Sequence, residues 1–471
     1  MEDIELAYLS GTEQLRLFAS RSISPVEVLQ AQIARAEIIE PQINAFSQTL
    51  YELALVAALA AEQRYREGRQ RQLEGLTLGV KETMAVRGTT TTHGSLMHRD
   101  DPPAKFSHPW VERLQNAGAI VHARTTSPEF ACAWVTTSRL NGVTRNPWDA
   151  SLTCGASSGG SAASLAAGTS TLATGTDIGG SIRYPAAQCG VVGYMPPHGR
   201  NPDVEPNSLD PYEHVGPLAR TVSDCALMQN VGSGPHYEDS ASLRQRVQIP
   251  IDHPGIEGWR IAWTTNCGNK DVDPEVASGF KVALSHLEAA GATLEQVDLG
   301  WGQEVTEAAC AHLDYISGQS LVRAWETHPD LICDYTEWYA KRAARSSQDR
   351  FIWAQDVAAK MYLTLEPLLS EFDALVCPVF VTQKIRADAM PWETIQVAGN
   401  TIDCDYQPSL LHQFNMVGRL PVISVPCGLG ENGLPIGIQI ITRSYDDIRA
   451  FRIATAMENQ RPWFDVAARR P

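Results

Sequence analysis

Two serine-bearing stretches hold the residues through which this chain could do chemistry. "TGTDIGGSIRYPAAQCG" (Thr174 to Gly190) sets an Asp, two glycines and a serine close together with an arginine behind. Upstream, "TCGASSGGSAAS" (Thr153 to Ser164) is a second Gly/Ser cluster. In the later stretch the glycines allow backbone conformations that turn consecutive N–H groups toward one point, and the serine after them could attack the carbon whose oxygen they hold. In the earlier one, "GASSG" (Gly155 to Gly159) fits the G-x-S-x-G nucleophile elbow, which would make Ser157 the nucleophile of a Ser-His-Asp hydrolase. An elbow needs a hydrophobic strand before it, and here the preceding residues are "NPWDASLTC", with Pro147 and Asp149. None of the 12 histidines sits in a base motif.

The elements that must position these serines alternate between helix and strand. "SISPVEVLQAQIARAEIIEP" opens with Ser24 as N-cap, Pro25 at the first helical position and Glu27 in place for a capping box, and Pro41 is expected to end the helix. Val26, Leu29, Ile33 and Ala36 recur at helical spacing and predict a core-facing stripe. "LEGLTLGVKE" reads as a strand with Leu76, Leu78 and Val80 on one face and Lys81 on the other, near its end. "PWVERLQNAGAIVHART" gives a helix, a stop at Gly118 and a strand. "DPEVASGFKVALSHLEAAGATLEQVDL" repeats that grammar after the strand-like "GWRIAWTT". Repeated strand-helix-strand units predict an α/β sheet with helices on its faces. The Pro-, Asn- and Asp-rich segment "PPHGRNPDVEPNSLDPYEHVGP" is a candidate rim of a site. Residues from about 300 to 370 are helical and aromatic, with Trp301, Trp325, Trp338 and Tyr339 expected to pack more than to line a pocket.

The 471 residues, 44% hydrophobic and 20% charged, suit a globular chain with a substantial core. A net charge of −16 disfavours nucleic acid or an anionic membrane as partner, because phosphate binding draws on clustered Lys/Arg. The start, "MEDIELAYLS", carries acids where a signal peptide has a basic region, and no apolar run reaches membrane-spanning length, so a cytoplasmic location is expected. The 10 cysteines are scattered singly, without CxxC pairs or His partners at zinc spacing, and predict reduced, mostly buried thiols.

The block "CGASSGGSAASLAAGTSTLATGTDIGGSIRYPAAQCGVVGYMP" resembles the amidase signature family. "LGVKETMAVRG", "RTTSPEFA", "NPWD", "VGPLARTVSDCALM", "DALVCPV" and "LPVISVPCGLGENGLPIGIQII" follow the family in order, so the likeness runs from about residue 5 to about residue 460. It implies a single large α/β domain over residues 1–471, built on a twisted mixed β-sheet covered by helices on both faces, with a variable region near 300–400 shaping the substrate pocket. It further implies a Ser-cisSer-Lys triad with Ser181 as nucleophile, Ser157 as bridging serine and Lys81 as base. The backbone N–H groups of Ile178, Gly179, Gly180 and Ser181 would form the oxyanion hole. Asp177 and Arg183 are read as scaffolding for that loop. A serine attacks only when a neighbour takes its proton, and a lysine can do so only if burial lowers its pKa, here to roughly 7 to 8. This sequence departs from the family's pattern at Glu82, where an Asp is usual, at Ala156, where a Gly is common, and at "YMPP" (Tyr194 to Pro197) in place of "LKPT".

The function implied is hydrolysis of a carboxamide or related C–N bond of a small molecule through an acyl-enzyme on Ser181. Its partners are then the amide and water, with no cofactor, no metal, no nucleic acid and no membrane, and with room for a homodimer. Three alternatives stand beside it: the glutaminase-type component of an amidotransferase complex, a Ser-His-Asp hydrolase using Ser157, and a catalytically silent binding protein. Against the first, the family's "LKPTYGRVSR" surroundings are replaced by "MPPHGRNPDVEPN". Because no His, Asp, Glu or Cys cluster has ligand spacing, exhaustive chelation should leave turnover intact. Loss of turnover that added zinc restores would contradict this.

Overall fold

A computed structural model describes residues 2–268, 270–463 and 470–471. Eleven strands form its central sheet: β1 (Phe46–Thr49), β2 (Thr77–Lys81), β3 (Ile120–Thr125), β4 (Leu172–Thr176), β5 (Val192–Met195), β6 (Val215–Ala219), β7 (Arg260–Trp263), β8 (Thr293–Gln296), β9 (Ala374–Pro378), β10 (Val422–Leu429) and β11 (Pro435–Ile441). Their spatial order is β1-β3-β2-β4-β6-β5-β10-β11-β9-β7-β8. Parallel pairing of β2 with β3 and β4, and of β7 with β8 and β9, flanks an antiparallel centre, so the sheet is mixed. β2 and β9 are buried along their whole length, as expected of strands covered on both faces.

The strand-helix grammar of the sequence is found where the local signals put it. The helix α1 (Pro25–Ile43) starts with the Ser24–Glu27 capping box in both directions. Leu29 and Ala36 are buried, but Val28, Ala31 and Gln32 are buried too while Val26 and Ile33 are half-buried, so the buried face is rotated from the expected stripe. Pro41 does not end the helix. It lies in the last turn, and the chain leaves the helix at Asn44, which adopts the left-handed conformation suited to a C-cap. So close to the end, the ring deletes one N–H bond without disturbing a following turn. Gly118, at φ 105°, stops the helix before β3 as predicted, and a Cβ there would meet the Glu74 backbone at 2.7 Å.

Two short helices frame the serine stretches: α2 (Gly159–Ala166) follows the first and α3 (Arg183–Cys189) the second, and both are buried throughout. Four helices, α4 (Glu304–Tyr315), α5 (Gly318–Thr327), α6 (Asp334–Ala343) and α7 (Gln348–Glu371), fill the interval between β8 and β9. Trp301 packs into a buried cluster against Phe414, with ring centroids 6.1 Å apart, while Tyr339 faces a cavity. Among the described residues no helix is long and apolar enough to cross a membrane.

Candidate active site

β2 delivers Lys81 at its C-terminal end, where the side chain is fully buried. Its Nζ lies 2.7 Å from Ser157 Oγ and 2.9 Å from Thr176 Oγ1, and its own N–H donates to Thr174 Oγ1 at 3.0 Å. β4 therefore supplies two threonines on either side of the lysine. Thr176 was not singled out from the sequence, although its place at the strand end just before the Asp-Ile-Gly-Gly-Ser run was a signal for it.

Ser157 sits in the turn that leads into α2, after a cis Ala156–Ser157 peptide bond. The next residue joins the two serine stretches: Ser158 N–H donates to the carbonyl of Ser181 at 3.2 Å, and its hydroxyl to the carbonyl of Thr176 at 3.4 Å. Ser181 itself is half-buried. The lysine, the first serine and the peptide of the second thus occupy one place, brought there by β2, the turn before α2 and the turn after β4.

Asp177 holds the loop between β4 and α3. Its carboxylate accepts from the N–H groups of Gly180 at 2.7 Å and Ile182 at 3.1 Å, and it pairs with the fully buried Arg183. Arg183 reaches on to Gln439 at 2.9 Å and Asn415 at 2.6 Å, while Asn415 donates to both the carbonyl and carboxylate of Asp177 at 2.9 Å. Burial alone would raise the Asp177 pKa, but Arg183 and Asn415 outweigh it and hold the carboxyl at about 2. One sequence expectation changes here. The Gly180 N–H points into the Asp177 carboxylate and is not free to join an anion site. Gly180 has φ 120° and a Cβ would lie 2.4 Å from Leu411 Cδ1, so glycine is required at that position for the turn.

The electrostatics of Lys81 follow from its position. Burial lowers its pKa from 10.5 to about 8, against the opposing pull of Glu213, Asp177 and Glu82. Of these, Glu213 comes from the Pro- and Asp-rich segment before β6 and lines the same cavity as Ser157 and Thr176; sequence reasoning named the segment but not the residue. Burial and neighbouring acids push the Glu213 carboxyl up. Glu82 turns to the opposite side of the strand and accepts from Ser127 N–H at 2.8 Å, Thr92 at 2.9 Å and Asn141 at 2.9 Å, so it supports the strand end structurally.

Among the described residues no Ser-His-Asp arrangement forms around Ser157. A His–Asp pair does line the cavity, with His108 Nε2 2.9 Å from Asp203, but the other ring nitrogen accepts the Trp110 N–H at 3.2 Å and has nothing left for a serine. Nor do the flanking cysteines compete: burial pushes the Cys154 thiol up to about 12 and the Cys189 thiol well above its ordinary range. Among the described residues no group of three His, Cys, Asp or Glu side chains is placed to hold a metal ion.

The cavity over Lys81 and Ser157 has a volume of about 640 Å3. Met84, Met97, Phe130, Ile178 and Leu321 give the cavity apolar lining, Asp203, Asp210 and Glu213 give it acidic lining, and Tyr339 and Tyr406 line it as well.

Comparison with known proteins shows what the chain as a whole is similar to. The sequence matches the Amidase family model over residues 27–450. It is 32% identical to an acylamidase of Rhodococcus erythropolis over 477 residues, covering 99% of this chain and 98% of that one. It is also 32% identical to a glutamyl-tRNA(Gln) amidotransferase component of Thermosynechococcus vestitus, covering 95% and 97%. Among solved structures, a bacterial aryl acylamidase of the amidase signature enzymes superimposes with a TM-score of 0.90 at 29% identity, over 98% of this chain and 99% of that one.

With Lys81 neutral above its pKa, the Ser157 hydroxyl can donate to Nζ and the lysine can receive a proton. With Lys81 protonated it cannot. Activity should therefore rise with pH through about 8 to an alkaline plateau, as the pKa of Lys81 sets it. Lys81→Ala should abolish that limb and lower the plateau by ~10²- to 10⁴-fold. A variant that kept both the limb and the rate would remove Lys81 from the role.

Proposed function

Because the chain belongs to the amidase signature family, we propose that it opens its amide substrate through an acyl-enzyme on Ser181, with Ser157 relaying the proton to Lys81. That the protein is a hydrolase acting on carbon–nitrogen bonds of small-molecule amides follows from its family and from its relatives. The roles of individual residues are our reading, and one observation carries it: a buried lysine, its pKa lowered by that burial, 2.7 Å from a serine whose neighbouring peptide is bonded to Ser181.

In the proposed sequence of events the amides of Ile178, Gly179 and Ser181 hold the substrate oxygen as Ser181 attacks. The Ser181 proton passes to Ser157 as the Ser157 proton passes to Lys81, so charge never accumulates on the bridging serine. Each oriented N–H is worth ~3 kcal/mol to such an oxyanion. The protonated lysine returns its proton along the same path to the leaving amine, and water then opens the acyl-enzyme in a second round. We assign residues 1–471 to one catalytic domain whose segment near 300–400 builds the variable wall, since Leu313, Ile316, Leu321 and Tyr339 reach the cavity from there. The apolar residues lining the cavity support an apolar or aromatic group on the substrate, in keeping with the acylamidase and aryl acylamidase that the chain is similar to. We place the protein in the cytoplasm, because its 10 cysteines are all free thiols, which suits a reducing compartment.

The amidotransferase component is the competing reading and rests on a relative of equal identity. The segment 203–213, which gives this cavity Asp203, Val204, Pro206, Asn207, Asp210 and Glu213, lies where the chain leaves the family's pattern, and this favours the small-molecule amidase.

A fluorophosphonate should attach to Ser181, and Ser181→Ala should abolish both adduct and turnover. Ser157→Ala should keep slow labelling at Ser181 while turnover falls by ~10²- to 10⁴-fold. Because the groups act as one unit, the double variant should match Ser181→Ala alone. Peptide mapping that placed the adduct on Ser157 would overturn the assignment.

A further inference from the structure

Beyond the catalytic cavity lies a second one of about 600 Å3, lined by Thr306, Cys310, Arg345, Ser346 and Gln407 among others. Three residues, Asp314, Arg342 and Tyr406, line both cavities and so stand between them. They are bound to one another. Arg342 of α6 donates through Nε to Asp314 of α4 at 3.0 Å and through a terminal nitrogen to Asp405 at 2.6 Å. Its guanidinium also lies over the Tyr406 ring, 5.5 Å from the centroid, and over Tyr339 at 5.0 Å. Tyr339 in turn donates to the second oxygen of Asp405 at 2.7 Å. Arginine is suited to this place: its planar fork engages two carboxylates while its face stacks on aromatic rings, which an ammonium could not do at once.

The partition stands against the reacting centre. A Cβ on Gly179, in the loop that carries Ser181, would lie 3.9 Å from Tyr406 Cε1. Tyr406 therefore has the catalytic loop at one edge and the outer cavity along its side. A substrate chain running from the serine loop into the inner cavity, which Ser157, Thr176 and Ile178 line, would meet this wall.

We propose that the Asp314–Arg342–Asp405 clasp, with Tyr406 beneath it, is the length-limiting specificity element of the enzyme: it closes the inner cavity and sets the longest chain an amide substrate can carry. The outer cavity is the continuation of the same groove, preformed and cut off by the clasp. The inference rests on Ser181 being the nucleophile at the loop beside the inner cavity, and goes beyond it by assigning the limit on substrate length to residues that touch no reacting atom.

The test uses the protein of residues 1–471 and a series of O-ethyl fluorophosphonates with one alkyl chain varied from two to about sixteen carbons. Adduct mapping with the shortest reagent tests the underlying reading separately, since it locates the nucleophile whatever the chain length. In the unaltered protein the labelling rate should rise with chain length and then fall once the chain reaches the clasp. In Arg342→Ala and in Tyr406→Ala the fall should move to longer chains, raising the ratio of long-chain to short-chain rates at least tenfold. Tyr406→Ala leaves both ion pairs of Arg342 in place, so it carries the test if Arg342→Ala does not fold. A general loss of packing would lower all rates together and leave the ratio unchanged. An unchanged ratio in Tyr406→Ala, or no fall with length in the unaltered protein, would overturn the proposal.

Discussion

A lysine amine kept out of water is the constraint on which the site depends. An ammonium in water keeps its proton at neutral pH, and such a lysine cannot act as a base. Lys81 lies at the end of a strand buried on both faces, and its pKa falls from 10.5 to about 8. At 1.36 kcal/mol per unit, that shift opposes folding by roughly 3 kcal/mol near neutrality. The sign is that of a group whose folded pKa lies below its unfolded one: the penalty is full below about 8 and disappears as pH rises toward 10.5. Packing in the sheet must offset it, and the same burial that costs stability leaves part of the lysine population neutral near pH 7. Ser157 and Thr176 complete the environment by giving Nζ two hydroxyl neighbours, so that the amine is desolvated without being left unpaired.

A second buried charge makes the first one useful. Asp177 and Arg183 are both fully buried, and each is engaged by several groups, which is the condition under which a buried ion pair is tolerated at all. Their role is geometric. Asp177 receives the N–H groups of Gly180 and Ile182 on either side of Ser181, and this fixes the turn that carries Ser181. Removing either partner would leave a charge with no counterpart, a loss on the order of 3–5 kcal/mol. The loop is thus held by a network that touches no substrate.

Much of this was legible in the sequence because it is local or strictly patterned. The Ser24 capping box, the Gly118 stop and β2 with Lys81 near its end follow from residue types a few positions apart. The meeting of Lys81 with Ser157 was expected only from the family likeness, since no spacing rule links residues 76 positions apart. Other features were misread or missed. Pro41 sits too near the helix end to break it. The Gly180 amide turns to Asp177, a preference set by the buried Arg183. Glu213 and Thr176 gain their meaning only when β4 and the segment before β6 are folded against β2. The wall formed by α4 to α6 was legible as helical and aromatic, but nothing in its periodicity says which side chains face a cavity.

The helices after β8 and the segment before β6 line the cavity around a centre that is held by buried charge. Everything at the centre rests on Lys81 being neutral at a pH where free lysine is not. The most direct measurement is the pKa of that amine in solution, followed through the ε-carbon and ζ-nitrogen NMR shifts of isotope-labelled lysine and assigned by comparison with Lys81→Met. The account predicts a midpoint near 8 for this one resonance. A midpoint no lower than the 10.5 of an ordinary lysine, together with unimpaired turnover at neutral pH, would contradict it.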